Sequence, residues 1–250
     1  MQNRATGLDA QPMYHLSFAP MANDVHTYHA FAQKVESFNS THPQPRLYVV
    51  CGTVPMDEVA SRRMLQRVDS LTTVVGTTKG QHELAAALVQ RAVAETVVQN
   101  YEGAISDLEA SLDLDSTSVV ALWQRAYCQT MMNEFDTQSR NAKADATSAS
   151  LKSARIMSDL GLAIQADKDN QYLYYNRGCV YMAERDYTHA IDDFTRAINI
   201  DHSLAEAYYN RGLARVQNGL KSEGIADLSK AGELGLYKAY SVIKKISKSI

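Results

Sequence analysis

Clustered cysteines and metal-ligand patterns are missing from this sequence. The three cysteines, Cys51, Cys128 and Cys179, are far apart, with no Cys-x-x-Cys pair and no histidine at metal-ligand spacing. We interpret them as buried free thiols. His26 and His29 lie three residues apart on a predicted helix, but a metal site there would need a further ligand from elsewhere. We therefore interpret them as surface histidines and predict no metal and no cofactor.

Excess positive charge and long apolar runs are also lacking. Lys and Arg total 25 against 28 Asp and Glu, for a net charge of −3, whereas nucleic-acid binders neutralise phosphate with a basic surface. No apolar run approaches the roughly 20 residues of a membrane-spanning helix, and no signal peptide is recognisable. We expect no nucleic acid and no membrane insertion. The expected protein is soluble, cytoplasmic by default and periplasmic if a signal peptide precedes the given sequence.

The sequence lacks the common catalytic motifs of phosphate binding and of nucleophilic hydrolysis. Gly76 and Gly80 bracket Thr77, Thr78 and Lys79 without the Gly-Lys-Ser/Thr step of a phosphate-binding loop. A Gly-x-Ser-x-Gly elbow is lacking, and no cysteine lies in a nucleophile signature. We predict no catalytic residue and therefore no enzymatic activity.

An internal repeat of 34 residues is the strongest positive signal. The string Tyr-Tyr-Asn-Arg-Gly stands at 174–178 and again at 208–212. An arginine recurs at 91, 125, 177 and 211, and an aspartate at 107, 159, 193 and 227. One interval in each series is 18 residues too long, which places an insertion at about 136–153, rich in Ser, Thr, Ala and Asn.

Each repeat carries apolar residues at helical spacing on two successive stretches. Tyr174, Gly178 and Tyr181 share one helical face, and Ala190 and Phe194 begin the next. Neither short helix could bury its apolar stripe alone, so neighbouring pairs must stack.

These residues resemble the tetratricopeptide repeat, which alternates small and aromatic residues along two antiparallel helices. The resemblance implies an all-α right-handed superhelix of about four helical hairpins. Their expected boundaries are 85–118, 119–170 with the insertion, 171–204 and 205–238, with a capping helix at 236–250. The chain is similar to the carboxy-terminal part of a larger bacterial tetratricopeptide-repeat protein.

Residues 1–83 do not show the repeat and predict a small mixed α/β segment. We expect a helix over Asp24–Phe38, a strand over Leu47–Cys51, a second helix after Pro55 and a linker over Thr72–Gly80. A single strand needs a partner. The alternatives are the segment around His15–Phe18, a second copy of the chain (hence an oligomer), or a missing part of a longer protein.

The recurring arginines and aspartates are expected to pair as structural clamps, within hairpins or between neighbours. A packing device is made in every repeat, whereas a catalytic site is made once. The clamp residues are therefore excluded from the candidate binding site.

By resemblance to the family, the first helix of each hairpin lines a concave groove. The inward residues are then aromatic or apolar, with two asparagines, and include Val89, Val93, Trp123, Tyr127, Met131, Tyr172, Tyr175, Asn176, Met182, Tyr209, Asn210 and Leu213. The alternative is that several of them pack against adjacent helices or a terminal segment.

The groove predicts a noncatalytic scaffold for protein–protein interaction, with an extended or helical apolar peptide or a protein segment as its partner. Some family members bind a carboxylate with groove lysines and asparagines, but the matching lysines are missing here. The alternative function is recruitment or regulation within a larger enzyme or a cell-envelope assembly. A further alternative makes residues 1–83 the functional part and the repeats a spacer.

Overall fold

Helices dominate the part of the chain that the computed structural model describes, namely residues 14–16, 49–51, 58–138 and 146–248. Strands β1 (Tyr14–Leu16) and β2 (Val49–Cys51) form an antiparallel pair in which Tyr14 lies opposite Cys51 and His15 opposite Val50. The described helices are α1 (Glu58–Thr77), α2 (Gln81–Val97), α3 (Tyr101–Leu114), α4 (Val119–Gln138), α5 (Ala146–Ala166), α6 (Gln171–Ala183), α7 (Tyr187–Ile200), α8 (Ala205–Gln217), α9 (Lys221–Glu233) and α10 (Lys238–Lys248).

The helices pair as antiparallel hairpins within two compact units. The first unit lies within Tyr14–Ala166 and the second within Asp167–Ile250. In the first, α1 packs on α2, and the hairpins are α2–α3 and α4–α5; in the second, α6–α7 and α8–α9 are followed by α10. In each unit the second helix of one hairpin packs on the first helix of the next. The predicted stacking is therefore present inside each unit, while the superhelix of all four hairpins stays a prediction.

Short polar residues set where several helices begin. The side chains of Asn100, Asn170 and Asp186 accept hydrogen bonds from backbone N–H groups in the first turns of α3, α6 and α7. Such capping satisfies donors that the helix itself leaves unpaired. The turn inside a hairpin needs a left-handed residue, supplied by Gly219 at φ 86° between α8 and α9 and by Arg185 at φ 63° between α6 and α7.

The predicted arginine–aspartate clamps are confirmed, and each one closes its own hairpin. The guanidinium donates from Nε and Nη2 to both carboxylate oxygens at 2.6–2.8 Å in all four pairs. The pairs are Arg91–Asp107, Arg125–Asp159, Arg177–Asp193 and Arg211–Asp227. The aspartate side chains are only 3–8% exposed, so the paired guanidinium is what makes their burial tolerable.

Small residues let the two helices of a hairpin approach closely. Ala92, Ala126, Ala190 and Ala231 have no exposed surface. A methyl group added at Gly178 would come within 2.7 Å of the Phe194 ring. The alternation of small and aromatic residues thus reflects contact between the helices of a hairpin.

Helix α10 packs against the last hairpin, and the mixed α/β character of residues 1–83 stays a prediction. Ala239, Val242 and Ile246 of α10 are buried in one cluster with Tyr209, Leu213 and Leu228, so the cap covers the apolar end of the last hairpin.

The structure corrects the predicted linker and shows where part of the insertion goes. The linker over Thr72–Gly80 was wrong, because α1 continues through Thr77. The insertion lengthens both helices of its hairpin: α4 and α5 have 20 and 21 residues, against 13 and 14 in α6 and α7. The predicted helix at Asp24–Phe38 lies outside the described residues.

Loss of a clamp carboxylate should destabilise its hairpin. Asp193→Asn leaves Arg177 part-buried and without its ionic partner, and we expect a decrease in the free energy of unfolding of about 2 kcal/mol. Chemical denaturation followed by circular dichroism measures it. The control is Asp192→Asn, since Asp192 is the exposed neighbour; equal losses in the two variants would contradict the clamp.

Two helical glycines should respond to alanine in opposite directions. Gly178→Ala would push a methyl group into Phe194, and we expect a loss of about 1–3 kcal/mol from overpacking. Gly161 of α5 has no atom within 4 Å of the added carbon, so Gly161→Ala should be neutral or stabilise by up to about 1 kcal/mol through helix propensity. The same denaturation experiment compares them, and a stabilising Gly178→Ala would refute close packing at this site.

Candidate binding face

The first helices of the hairpins form the candidate binding face in each unit. In the first unit these are α2 and α4, which contact one another, and in the second unit they are α6 and α8, which also touch. We call the surface of α2 and α4 the first inner face and that of α6 and α8 the second inner face.

Most side chains predicted for the groove are buried in the folded chain. Those at most 5% exposed are Val93, Trp123, Tyr127, Tyr172, Tyr175, Asn176, Tyr209, Asn210 and Leu213. Val89, Met131 and Met182 are partly exposed. The aromatic wall expected to stand open is therefore largely used for packing inside the chain, in line with the alternative that the sequence left open. Contact of these residues with a partner stays a prediction.

A network of side chains joins α6 and α8 across the second inner face. The Tyr175 ring packs on Phe194 at 5.6 Å between centroids, and the Asn210 Nδ2 donates a hydrogen bond to Tyr175 Oη at 3.0 Å. The Lys238 Nζ lies 5.0 Å from the centroid of the Tyr209 ring, a cation–π contact from α10. The asparagine and the second tyrosine of the repeated string thus hold successive hairpins together.

The first tyrosine, the arginine and the glycine of the repeated string make contacts inside their own hairpin. Arg177 lies 6.0 Å from the centre of the Tyr174 ring, and Arg211 lies 5.5 Å from that of Tyr208. The first tyrosine therefore makes a cation–π contact with the clamp arginine. The final glycine leaves room for the second helix of the hairpin. The string is thus accounted for by packing.

The first inner face contains a buried polar network that the sequence analysis missed. Gln124 Nε2 donates to Thr96 Oγ1 at 2.9 Å, and Thr96 Oγ1 lies 3.2 Å from Cys128 Sγ. All three residues are buried. Desolvation raises the pKa of Cys128 to about 12, so its thiol stays protonated and unreactive at neutral pH.

Strand β1 contacts α4, the helix that carries Trp123, Tyr127 and Met131 at intervals of four residues. Side chains four apart on a helix share one face. Trp123 is completely buried and Tyr127 is 5% exposed, while Met131, one turn further along, is partly exposed.

A buried acid, Glu95, lies between α2 and α3. Its side chain is buried, Oε2 has no hydrogen-bond partner, and Oε1 accepts only a long bond of 3.5 Å from Asn100 Nδ2. Desolvation, aided by the negative charge of Asp107, raises the pKa of Glu95 to about 7, against the opposing effect of Arg91. The carboxyl is therefore partly protonated at neutral pH.

In the second unit, the residues at the repeat position of Glu95 are Tyr181 and Arg215, and both have partners. Tyr181 stacks on His189 at 5.2 Å, and Arg215 donates to Asp227 at 2.7 Å. Glu95 could have been recognised from the sequence, because a charged residue stands at a position where the helical period predicts a buried side chain.

The described residues contain neither a membrane-spanning helix nor a cluster of metal ligands. No helix in the described ranges is long and apolar enough to cross a membrane. Across residues 58–138 and 146–248 as described, no group of three His, Cys, Asp or Glu could hold a metal ion. His26 and His29 lie outside the described residues.

Comparisons with known proteins agree on one repeat family. A family model described as "TPR repeat" matches residues 180–219. The Photosystem I assembly protein Ycf3 of Acaryochloris marina (strain MBIC 11017) is 30% identical over 71 residues, which are 28% of this chain and 43% of that protein. The chain therefore spans less than half the length of this curated relative.

Solved structures of MamA share the fold. One matches with a TM-score of 0.57 and 21% identity, over 75% of this chain and 99% of that one. Another, from Desulfovibrio magneticus RS-1, has a TM-score of 0.52 and 15% identity, over 70% of this chain and 90% of that one. At such identities the likeness concerns the fold alone.

Glu95 should make stability depend on pH near neutrality. Its folded pKa of about 7 exceeds the ordinary 4.5, so its contribution is fully present below about pH 4.5 and is lost as pH rises through 7. Glu95→Gln should therefore raise the free energy of unfolding by about 1–2 kcal/mol at pH 8 and change it little at pH 4.5.

Urea denaturation at the two pH values measures this difference. Glu102→Gln on α3 is the matched control, since Glu102 is exposed and its substitution should leave the pH profile unchanged. A Glu95→Gln protein that keeps the wild-type pH profile would contradict the assignment.

Proposed function

We propose that this chain, which is a tetratricopeptide-repeat protein, is a noncatalytic scaffold that binds a peptide or protein segment on the inner faces of its helical hairpins. The name of the curated relative, an assembly protein, supports a role in bringing other proteins together.

The observation that carries this proposal is the pair of partly exposed methionines on the inner faces. Met131 lies one helical turn after the buried Tyr127 on α4, and Met182 on α6 packs against the cluster of Tyr209 and Leu213. Methionine is flexible and polarisable, so it adapts to varied apolar partners. Apolar contact at these two residues would extend the existing core onto a guest chain.

A bound carboxylate is not part of the proposal. Asn210 donates to Tyr175 Oη and Cys179 Sγ, and Asn176 is completely buried. The amides that could have met a carboxylate are enclosed within the fold. An apolar segment therefore remains the better-supported partner, and the recruitment or regulatory role within a larger enzyme or cell-envelope assembly stays the alternative.

Photo-crosslinking tests the inner faces directly. We would introduce p-benzoylphenylalanine at Met131 or Met182 in cells and, as matched controls, at Leu162 of α5 or Ile200 of α7, which are 47% and 39% exposed. These controls lie on the second helices of their hairpins and share the apolar character of the test positions.

The expected result is crosslinking of the same polypeptide from Met131 and Met182, with little or none from Leu162 and Ile200. The reason is that a guest chain on the inner faces would pass within reach of the methionines only. Equal labelling from all four positions, or labelling from the control positions alone, would contradict binding at the inner faces.

A further inference from the structure

Helix α4 of the first inner face is contacted by another part of the same chain. Strand β1 contacts α4 within the first unit. The helix presents Trp123, Tyr127 and Met131 along one stripe, of which Trp123 and Tyr127 are buried and Met131 is partly exposed.

We infer that the β1–β2 strand pair occupies the first inner face and that the partner is an extended segment which takes its place. This inference rests on the proposed function and specifies how that function is regulated. The ligand class is an extended chain, because the segment that contacts α4 is itself a strand. The site is therefore self-occupied until a competing segment displaces the strand pair.

The strand pair is suited to displacement because it is short. Each strand has three residues, and an isolated two-stranded pair is marginally stable in water. The pair therefore depends on α4 for its stability, and its loss would leave the helical hairpins intact. Met131 gives an incoming segment an apolar contact before the strands leave.

Occupation from within the chain lowers the apparent affinity for any partner. The measured dissociation constant is the intrinsic one divided by the fraction of molecules whose face is open. A segment that binds the open face shifts the population toward that state. A partner with low intrinsic affinity therefore does not displace the strand pair.

The first experiment removes the occupant in the full chain. Replacing Tyr14, His15 and Leu16 by glycine weakens β1, because glycine disfavours strands and carries no side chain to pack. Trp123 is the only tryptophan, so acrylamide quenching of its fluorescence reports access to α4. We expect the quenching constant to rise about threefold or more while the helical circular dichroism stays unchanged.

The second experiment links the two strands by a disulfide bond instead. Tyr14→Cys places a thiol opposite the native Cys51, within the range that a cross-strand disulfide spans. His15→Cys is the matched control, because it lies opposite Val50, which offers no thiol. Mass spectrometry after oxidation checks that only the first variant is crosslinked.

The probe is a dansylated synthetic peptide of residues 10–20 of this sequence, detected by energy transfer from Trp123. We expect the triple-glycine variant to bind it about tenfold more tightly than the wild type, whose face is filled. Oxidised Tyr14→Cys should bind several-fold more weakly than its reduced form. The His15→Cys variant should not respond to oxidation, and a scrambled peptide should not bind.

The outcomes separate this inference from the proposed function. Unchanged quenching and unchanged peptide binding in the triple-glycine variant would overturn self-occupation, even if Met131 and Met182 crosslink a partner. Release of Trp123 by the glycines without any crosslinked partner would support self-occupation and contradict the scaffold function.

Discussion

Closure of each hairpin by a bidentate arginine–aspartate pair is the constraint on which the other features of the array depend. Each carboxylate is almost fully buried, and a buried charge is tolerated only with a hydrogen-bonded partner. The pair therefore determines which turn of the first helix lies beside which turn of the second. With this alignment set, alanines and glycines allow the two helices of the hairpin to approach closely, and the aromatic rings pack beside them. Arg211 also reaches Thr195 of the preceding hairpin at 3.0 Å, so the clamp links neighbours as well.

The packing of the aromatic residues limits the surface that remains for a partner. Tyr175, Tyr209 and Trp123 lie on the first helices, on the side that we predict to face a partner, but they are buried inside the chain. In the second unit an asparagine bridges hairpins and a lysine of α10 covers a ring. Among the residues predicted to line the groove, only Val89, Met131 and Met182 stay partly exposed. Binding of a partner on these helices would therefore depend on a few partly exposed side chains beside the buried aromatic residues.

Both units enclose polar side chains and satisfy them in different ways. In the second unit Arg215 joins the clamp at Asp227, and Asn210 donates to Tyr175. In the first unit Gln124 donates to Thr96, while Glu95 is desolvated close to the carboxylate of Asp107. An acid buried in this way reduces the free energy of unfolding. The strand pair lies in this same unit.

The 34-residue period, the two helices per repeat, the capping helix and the clamps were all readable from sequence, because each recurs at a fixed spacing and recurrence reports a packing rule. The clamp partners within a hairpin, the extension of α1 past Thr72 and the lengthening of α4 and α5 by the insertion became clear only in the folded chain. Trp123 illustrates the reason. Its position on α4 follows from the repeat, whereas its burial depends on what packs against that helix. Periodicity identifies the face on which a side chain lies, but contacts between segments distant in the chain decide whether that face is open.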